Sequence, residues 1–179
     1  MALVRPKSTC FLLAVIGLTA AMLSGVARAE AASTLQPTVV VVVRHAEKLG
    51  EDSRDPSLSS AGQERARKLR LMLRDMGITA VYVSDTLRAK ETAEPITSSL
   101  DLVAVTYPGR EVAALIDQVL KNAAGQTVLV VGHSNTVPEM ISLLTRGRES
   151  VVLDDAEYDA MFIVTIDHRN ESALLRLRY

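Results

Sequence analysis

The fold is decided by residues 39–48, which read Val39-Val40-Val41-Val42-Val43-Arg44-His45-Ala46-Glu47-Lys48. Five consecutive valines predict a strand buried on both faces, as in a parallel sheet that helices cover on each side. The apolar run ends abruptly in an arginine and a histidine. Open α/β sheets bind their ligands at the carboxyl ends of such strands. Other polar segments that follow a strand therefore become candidates for a shared site.

Strand and helix patterns alternate along the rest of the chain. Strands are predicted over 80–83, 103–107 and 127–131, and helices over 60–76, 86–100, 111–122 and from 137 to 144. The runs 161–166 and 173–177 flank a polar turn and predict a hairpin. Together these elements predict an α/β three-layer sandwich with a mostly parallel central sheet and an antiparallel edge hairpin.

Local signals predict where the helices begin and end. Ser60 and Gln63 match a capping box at the start of the first helix. Gly77 is expected to end that helix as its C-cap, and Gly125 to end the helix over 111–122. Pro95 is expected to interrupt or end the helix over 86–100, because proline removes a backbone donor.

The first 29 residues have the pattern of a signal peptide. Arg5 and Lys7 form a basic start, residues 10–22 are apolar, and Ala27-Arg28-Ala29 matches an A-x-A cleavage site. An uncleaved anchor is the alternative, but the apolar run is short for a span of about 20 residues. We expect cleavage before Glu30, a flexible leader over 30–37 and one domain over 38–179. The mature protein would be periplasmic or secreted, without stable membrane insertion.

Composition narrows the classes of partner and chemistry. Removal of three basic residues with the signal peptide changes the net charge from −1 to −4. An acidic chain without tryptophan and with few aromatic residues argues against nucleic acid as a partner. Cys10 is the only cysteine and leaves with the signal peptide, so disulfide and thiol chemistry are not expected. These features do not fix the oligomeric state.

Three predicted strands end in polar side chains. The segments are Arg44-His45, then Ser84-Asp85 with Arg88 one turn later, and then His133-Ser134-Asn135. If the strands are parallel neighbours, two imidazoles, two guanidinium groups and two helix N-termini meet in one pocket. Guanidinium groups and helix N-termini suit a phosphoryl group. A histidine among them can act as a nucleophile toward phosphorus.

Four segments resemble, in order, the motifs of the histidine phosphatase superfamily, which has the phosphoglycerate-mutase-like fold. Arg44-His45-Ala46-Glu47 is similar to its R-H-G/A-E signature, and residues 58–66 to its L-(S/T)-x-x-G-x-x-x-A helix start. Residues 84–93 resemble its S-x-x-x-R-A-x-x-T-A segment, and residues 130–134 its second-histidine strand. The resemblance covers residues 39 to about 142.

The resemblance implies an exported phosphomonoester hydrolase that uses no metal or other cofactor and acts on a small phosphorylated substrate. His45 would be the nucleophile and carry a transient phosphohistidine. Arg44, Arg88 and His133 would hold the phosphoryl oxygens and stabilise charge in the transition state. His45 must be neutral to attack, which nearby guanidinium groups favour, whereas His133 would serve better as a cation. Further substrate-binding residues are expected at the pocket mouth, namely Lys48, Ser134 and Asn135.

The motifs do not identify a general acid. Many members of the superfamily use a glutamate between the segments that contain Arg88 and His133, and Glu111 is the candidate in that interval. An acidic residue at a helix start is also expected for the helix dipole alone. Another branch has an aspartate directly after the second histidine, where this chain has Ser134. Further candidates are Asp85, Asp154 and Asp155.

Two other functions remain open from the sequence. A phosphomutase would need a second phosphate site and a lid, for which the chain has little material. A phospho-ligand binding protein would keep the pocket without turnover, and the unidentified acid motivates that alternative. A zinc site at the two histidines is disfavoured, because two flanking arginines repel the ion.

Overall fold

Six strands form one mixed sheet in the part of the chain that this computed structural model describes, residues 36–50 and 53–179. The predicted signal peptide and residues 30–35 of the leader lie outside the described residues. The strands are β1 (Thr38–Arg44), β2 (Ile78–Ser84), β3 (Val105–Tyr107), β4 (Thr127–Gly132), β5 (Ala160–Ile166) and β6 (Ser172–Arg178). Their order across the sheet is β3-β2-β4-β1-β5-β6. The first four strands run parallel, while β5 is antiparallel to β1 and β6 to β5.

Four helices cover the two faces of this sheet. They are α1 (Ser60–Leu73), α2 (Leu87–Leu100), α3 (Val112–Asn122) and α4 (Val137–Leu144). Apolar residues of α1 and α2 pack with Val41 and Val43 on one face, and those of α3 and α4 pack with Val40 and Val42 on the other. The three-layer α/β sandwich and its antiparallel edge pair are therefore confirmed. None of these described helices is both long enough and apolar enough for a membrane crossing.

Some helix ends differ from the sequence prediction. The N-cap of α1 is Ser59, not Ser60, and its Oγ accepts a hydrogen bond from the Gly62 N–H at 3.1 Å. Helix α1 ends at Leu73, and Gly77, with φ of 65°, forms the turn before β2. Helix α2 continues through Pro95 to Leu100. The buried contacts of its inner face, including Ile96, keep it helical beyond the proline.

The sheet register aligns the carboxyl ends of the parallel strands. Arg44 of β1 pairs with Gly132 of β4, Val83 of β2 pairs with Val131 of β4, and Ser84 pairs with Tyr107 of β3. The next residue along each strand then lies at the same edge. Across the sheet these residues follow the order Pro108, Asp85, His133, His45. Parallel pairing thus brings together side chains that are up to 88 positions apart in the chain.

Candidate active site

A cavity of about 830 Å³ opens at this edge of the sheet. Eight of the residues that the sequence predicted for the site line it: Arg44, His45, Lys48, Arg88, Glu111, His133, Ser134 and Asn135. The remaining lining residues come from the same strand ends and from the segment before β5, and include Asp85, Gly109, Arg110, Asp155 and Tyr158. The predicted residues therefore share one cleft, while their chemical roles stay predictions.

Two hydrogen bonds fix the tautomer of His45, because one partner can only accept and the other can only donate. Its Nδ1 lies 2.8 Å from the carbonyl oxygen of Ala46, which can only accept, so Nδ1 carries the proton. Its Nε2 lies 3.2 Å from Nε of Arg88, which can only donate, so Nε2 presents its lone pair. The imidazole is almost completely buried. A neutral imidazole whose Nε2 carries a lone pair and no proton is the form that can attack an electrophile.

Burial also keeps both site histidines neutral. Burial is the main cause that lowers the pKa of His45 to about 3, and the positive charges of Arg88 and Arg44 act in the same direction. The hydrogen bond to Ala46 partly opposes this shift. Burial and Arg88 lower the pKa of His133 to about 4. The expectation that His133 is a cation is therefore not met in this structure, because burial outweighs its acidic neighbours.

His133 stands beside the nucleophile candidate and is held by β2. The rings of His45 and His133 lie edge to face, with centroids 5.2 Å apart. Nε2 of His133 is 2.8 Å from Oγ of Ser84, and this hydroxyl also contacts Thr86 Oγ1 at 3.1 Å. Ser84 is fully buried, so the contact fixes the imidazole with little freedom. Two imidazoles thus face the cavity in defined orientations.

Arg44 is held by the segment that precedes β5. Its NH1 donates to the carbonyl oxygens of Asp154 and Asp155 at 3.0 and 2.7 Å. Its guanidinium carbon lies 4.1 Å from the ring centre of Tyr158. The Nε of Arg44 is buried and has no hydrogen-bond partner among the described residues. An unsatisfied buried donor is costly, so this side chain suits an anionic ligand that accepts from it.

Arg88 occupies the opposite wall at the start of α2. Asp55 accepts from the Leu87 N–H through both carboxylate oxygens at 2.9 Å and lies 3.4 Å from NH1 of Arg88. Asp55 therefore caps the N-terminus of α2 and also holds the guanidinium group of Arg88. The Nε of Arg88 remains directed at His45. Arg44 and Arg88 thus bring two positive charges to the two sides of one imidazole.

Two contacts hold the loop that follows β1. They explain why the sequence motifs have a glycine at position 62 and a threonine at position 92. The carbonyl oxygen of Glu47 accepts from the Ser59 N–H at 2.8 Å and lies against Gly62, where an added Cβ would be 2.1 Å away. The Ala46 N–H donates to Thr92 Oγ1 at 2.9 Å, which donates in turn to the carbonyl of Arg88 at 2.7 Å. Glycine and threonine at these motif positions therefore place the loop that contains His45.

The carboxyl candidates occupy different walls of the cavity. Asp85 lies beside His133, and its Oδ1 accepts from the Gly109 N–H at 3.3 Å. Glu111 is the N-cap residue of α3 and lines the cavity without a side-chain capping bond. Asp155 accepts from Ser134 Oγ at 2.6 Å and lies 3.8 Å from Arg44. Asp154 caps the turn through Ala156 and is not among the cavity-lining residues.

Tyr158 is a site residue that the sequence analysis did not single out. Its ring contacts Arg44 and lies 6.0 Å from the ring of His45. The signal was available in part, because tyrosine is scarce in this chain and residue 158 comes just before a strand. The sequence does not indicate that β5 is the antiparallel neighbour of β1.

Within the described residues, no three His, Cys, Asp or Glu side chains cluster as metal ligands would.

The comparisons with known proteins agree with this fold. The family model for the histidine phosphatase superfamily (branch 1) matches residues 40–109. The structure of the protein histidine phosphatase SixA with tungstate is 22% identical, has a TM-score of 0.62, and the match covers 78% of this chain and 96% of that chain. Phosphoglycerate mutase from Plasmodium falciparum is 18% identical, with a TM-score of 0.59 and coverage of 79% and 91%.

A mycobacterial glucosyl-3-phosphoglycerate phosphatase gives a similar result, with 13% identity, a TM-score of 0.59 and coverage of 78% and 97%. No curated protein matches the chain by sequence comparison. The chain therefore has the phosphoglycerate-mutase-like fold. The family model matches the part of the chain from β1 to the residues just after β3, and the structural neighbours share the fold.

Proposed function

We propose that this chain is a phosphomonoester hydrolase of the histidine phosphatase superfamily that works through a phosphohistidine on His45. The observation that carries the proposal is the fixed tautomer of this residue. Its Nε2 lone pair faces the cavity wall formed by Arg88, while Nδ1 is committed to the Ala46 carbonyl. A buried imidazole arranged in this way is poised for attack and does not need to lose a proton first.

The proposed reaction has two displacements at phosphorus. In the first, a bond forms between His45 Nε2 and phosphorus while the bond to the leaving oxygen breaks, and a general acid supplies the proton with which that oxygen departs as the alcohol. In the second, water attacks phosphorus, the P–N bond breaks, and inorganic phosphate is released. Arg44 and Arg88 would neutralise charge on the phosphoryl oxygens without a metal ion, as positioned guanidinium groups do in other phosphoryl transfers, and His133 would contact the same oxygens as a neutral imidazole.

Trapping the phosphoenzyme tests this proposal directly. Brief incubation with a ³²P-labelled substrate should label the purified protein with an acid-labile, base-stable adduct that maps to His45. His45→Ala should abolish both the adduct and phosphate release from p-nitrophenyl phosphate. His168→Ala is the matched control, because this third histidine is exposed in the turn between β5 and β6 and should leave both unchanged.

The alternatives give different results in the same experiment. A phospho-ligand binding protein would bind phosphate tightly but release none from the aryl ester. A mutase would form the adduct and transfer its phosphoryl group to an added acceptor alcohol faster than to water. Labelling that persists in His45→Ala would contradict the assignment of the nucleophile.

Export is part of the proposal and rests on the sequence of residues 1–29, with their basic start, apolar run and A-x-A site. Expression of the full chain in a Gram-negative host should give a periplasmic protein whose N-terminal residue is Glu30. An intact chain in the membrane or cytoplasmic fraction would contradict this prediction. Replacing Ala27 and Ala29 with bulky residues should block processing and serves as the control.

A further inference from the structure

The general acid remains to be assigned, and the structure separates the candidates by position. This inference rests on the proposed phosphohistidine mechanism. In-line displacement places the leaving oxygen opposite the attacking atom. A residue that protonates the leaving oxygen must therefore lie across the phosphoryl-binding residues from His45, and the strand order decides which carboxylates do so.

The order of residues along the sheet edge is Pro108, Asp85, His133, His45. Strand β4, with His133 at its end, lies between β1 and β2. With neighbouring strands about 4.8 Å apart, the end of β2 is about 10 Å from the end of β1. That separation accommodates a phosphoryl group and its leaving oxygen between the imidazole of His45 and a carboxyl on β2.

Asp155 lies on the wrong side for this role. It belongs to the segment before β5, the strand that flanks β1 away from β4. Its carboxylate accepts from Ser134 Oγ and lies 3.8 Å from the guanidinium group of Arg44. The contact with Arg44 keeps this carboxylate beside β1, on the same side as the nucleophile, so it is poorly placed to deliver a proton to the leaving oxygen.

Asp85 and Glu111 both lie on the side away from His45, but the structure fixes only one of them. Oδ1 of Asp85 accepts from the Gly109 N–H at 3.3 Å, which leaves its second oxygen for another partner. Oδ1 of Asp85 and Nε2 of His133 both lie within 3.7 Å of the point where a Cβ on Gly109 would stand. The carboxyl is thus adjacent to His133, and its negative charge partly opposes the lowering of the pKa of that imidazole by burial and by Arg88.

From this arrangement we infer that Asp85 is the proton donor to the leaving oxygen and, in the second step, the base that activates water. In the first displacement the carboxyl proton moves to the leaving oxygen as the P–O bond breaks, and Asp85 becomes a carboxylate. In the second, the carboxylate takes a proton from water as the new P–O bond forms and the P–N bond to His45 breaks. The cycle returns His45 to the neutral form and Asp85 to the acid.

Dependence on the leaving group tests this inference. p-Nitrophenolate leaves with little need of a proton, whereas the alkoxide of an alkyl phosphate needs one. Asp85→Asn should lower kcat/KM for glycerol 3-phosphate by about 10²–10⁴-fold, the usual contribution of general acid catalysis. It should lower kcat/KM for p-nitrophenyl phosphate by less than about tenfold. Asparagine keeps an oxygen that can accept the Gly109 N–H, and an unchanged Tm would verify the fold.

Glu111→Gln removes the rival carboxyl and should keep the wild-type ratio between the two substrates. The pH profile gives a second readout: a proton donor that must be protonated to act makes kcat/KM for glycerol 3-phosphate fall as the pH rises, and Asp85→Asn should lack that fall. Equal losses of kcat/KM on both substrates in Asp85→Asn would overturn this inference but not the proposed function. The same holds if Glu111→Gln, and not Asp85→Asn, alters the ratio of kcat/KM between the two substrates. Failure of the wild type to form the His45 adduct or to hydrolyse either ester would overturn the proposed function with it.

Discussion

Substitution of Gly62 by alanine tests whether the loop after β1 is positioned as the structure indicates. Gly62 is buried in the first turn of α1, and a Cβ there would lie 2.1 Å from the carbonyl oxygen of Glu47. Carbon and carbonyl oxygen normally approach no closer than about 3.3 Å. The backbone of Glu47, two residues after His45, must therefore retreat by about 1 Å.

The expected effect has two measurable parts. Overpacking against backbone costs about 1–3 kcal/mol, and the better helix propensity of alanine offsets up to about 1 kcal/mol. A net loss of about 1–2 kcal/mol lowers the Tm by roughly 2–8 °C for a domain of this size. A misplacement of about 1 Å at a reacting group can reduce turnover about 10²-fold. Gly62→Ala should therefore lose about 10²-fold in kcat/KM while its Tm falls by only a few degrees.

The assay combines a thermal melt with kcat/KM on p-nitrophenyl phosphate at a temperature well below both transitions. Gly50→Ala is the matched control, because a Cβ at Gly50 has no atom within 4 Å and should change neither quantity. If Gly62→Ala matches Gly50→Ala in both Tm and kcat/KM, the close approach to Glu47 does not position the loop, and the reasoning is wrong.

Three further predictions follow from other contacts. Thr92→Val leaves the Ala46 N–H unsatisfied and should cost about 1–3 kcal/mol in urea unfolding, whereas Thr92→Ser should retain most of that stability. Tyr158→Ala removes the ring from Arg44 and should weaken inorganic phosphate binding by about two- to thirtyfold in calorimetry, with Tyr158→Phe close to the wild type. The two site histidines have pKa values lowered to about 3 and about 4, so the unfolded chain binds more protons below pH 6.5. Stability should fall as the pH is lowered from 6.5 toward 4, by about 1 kcal/mol per pH unit for each histidine, and His133→Asn should flatten this slope; a pH-independent urea midpoint would contradict it.

The sheet and its edge were predictable because burial imposes a simple pattern. The valines of β1 alternate between the two cores of the domain, and this position between two helix layers requires an unbroken apolar run. Charge directly after such a run has one location, the strand end. The sequence alone therefore predicts that Arg44, His45 and His133 lie at this edge of the sheet. Parallel pairing then fixed their neighbourhood.

The helix cap illustrates what local patterns leave undecided. Ser59 and Ser60 are adjacent, and Gln63 made Ser60 the better match to a capping box. The chain instead uses Ser59, whose N–H and Oγ both bond to the carbonyl of Glu47. A contact between segments 12 residues apart therefore overrides the local preference. Such tertiary contacts do not appear in the spacing of residues within one helix.

Site residues that depend on strand order were the hardest to predict. Asp85 and Asp155 are both aspartates in segments that flank a predicted strand. In the folded sheet, β4 separates Asp85 from His45, while Asp155 comes from the segment next to β1 and contacts Arg44. In-line chemistry distinguishes the two sides of the nucleophile, so the same carboxyl group is suited to proton transfer on one side and to holding a guanidinium on the other. A missing glutamate motif is therefore weak evidence against catalysis, because a sheet edge can supply the proton donor from a different strand.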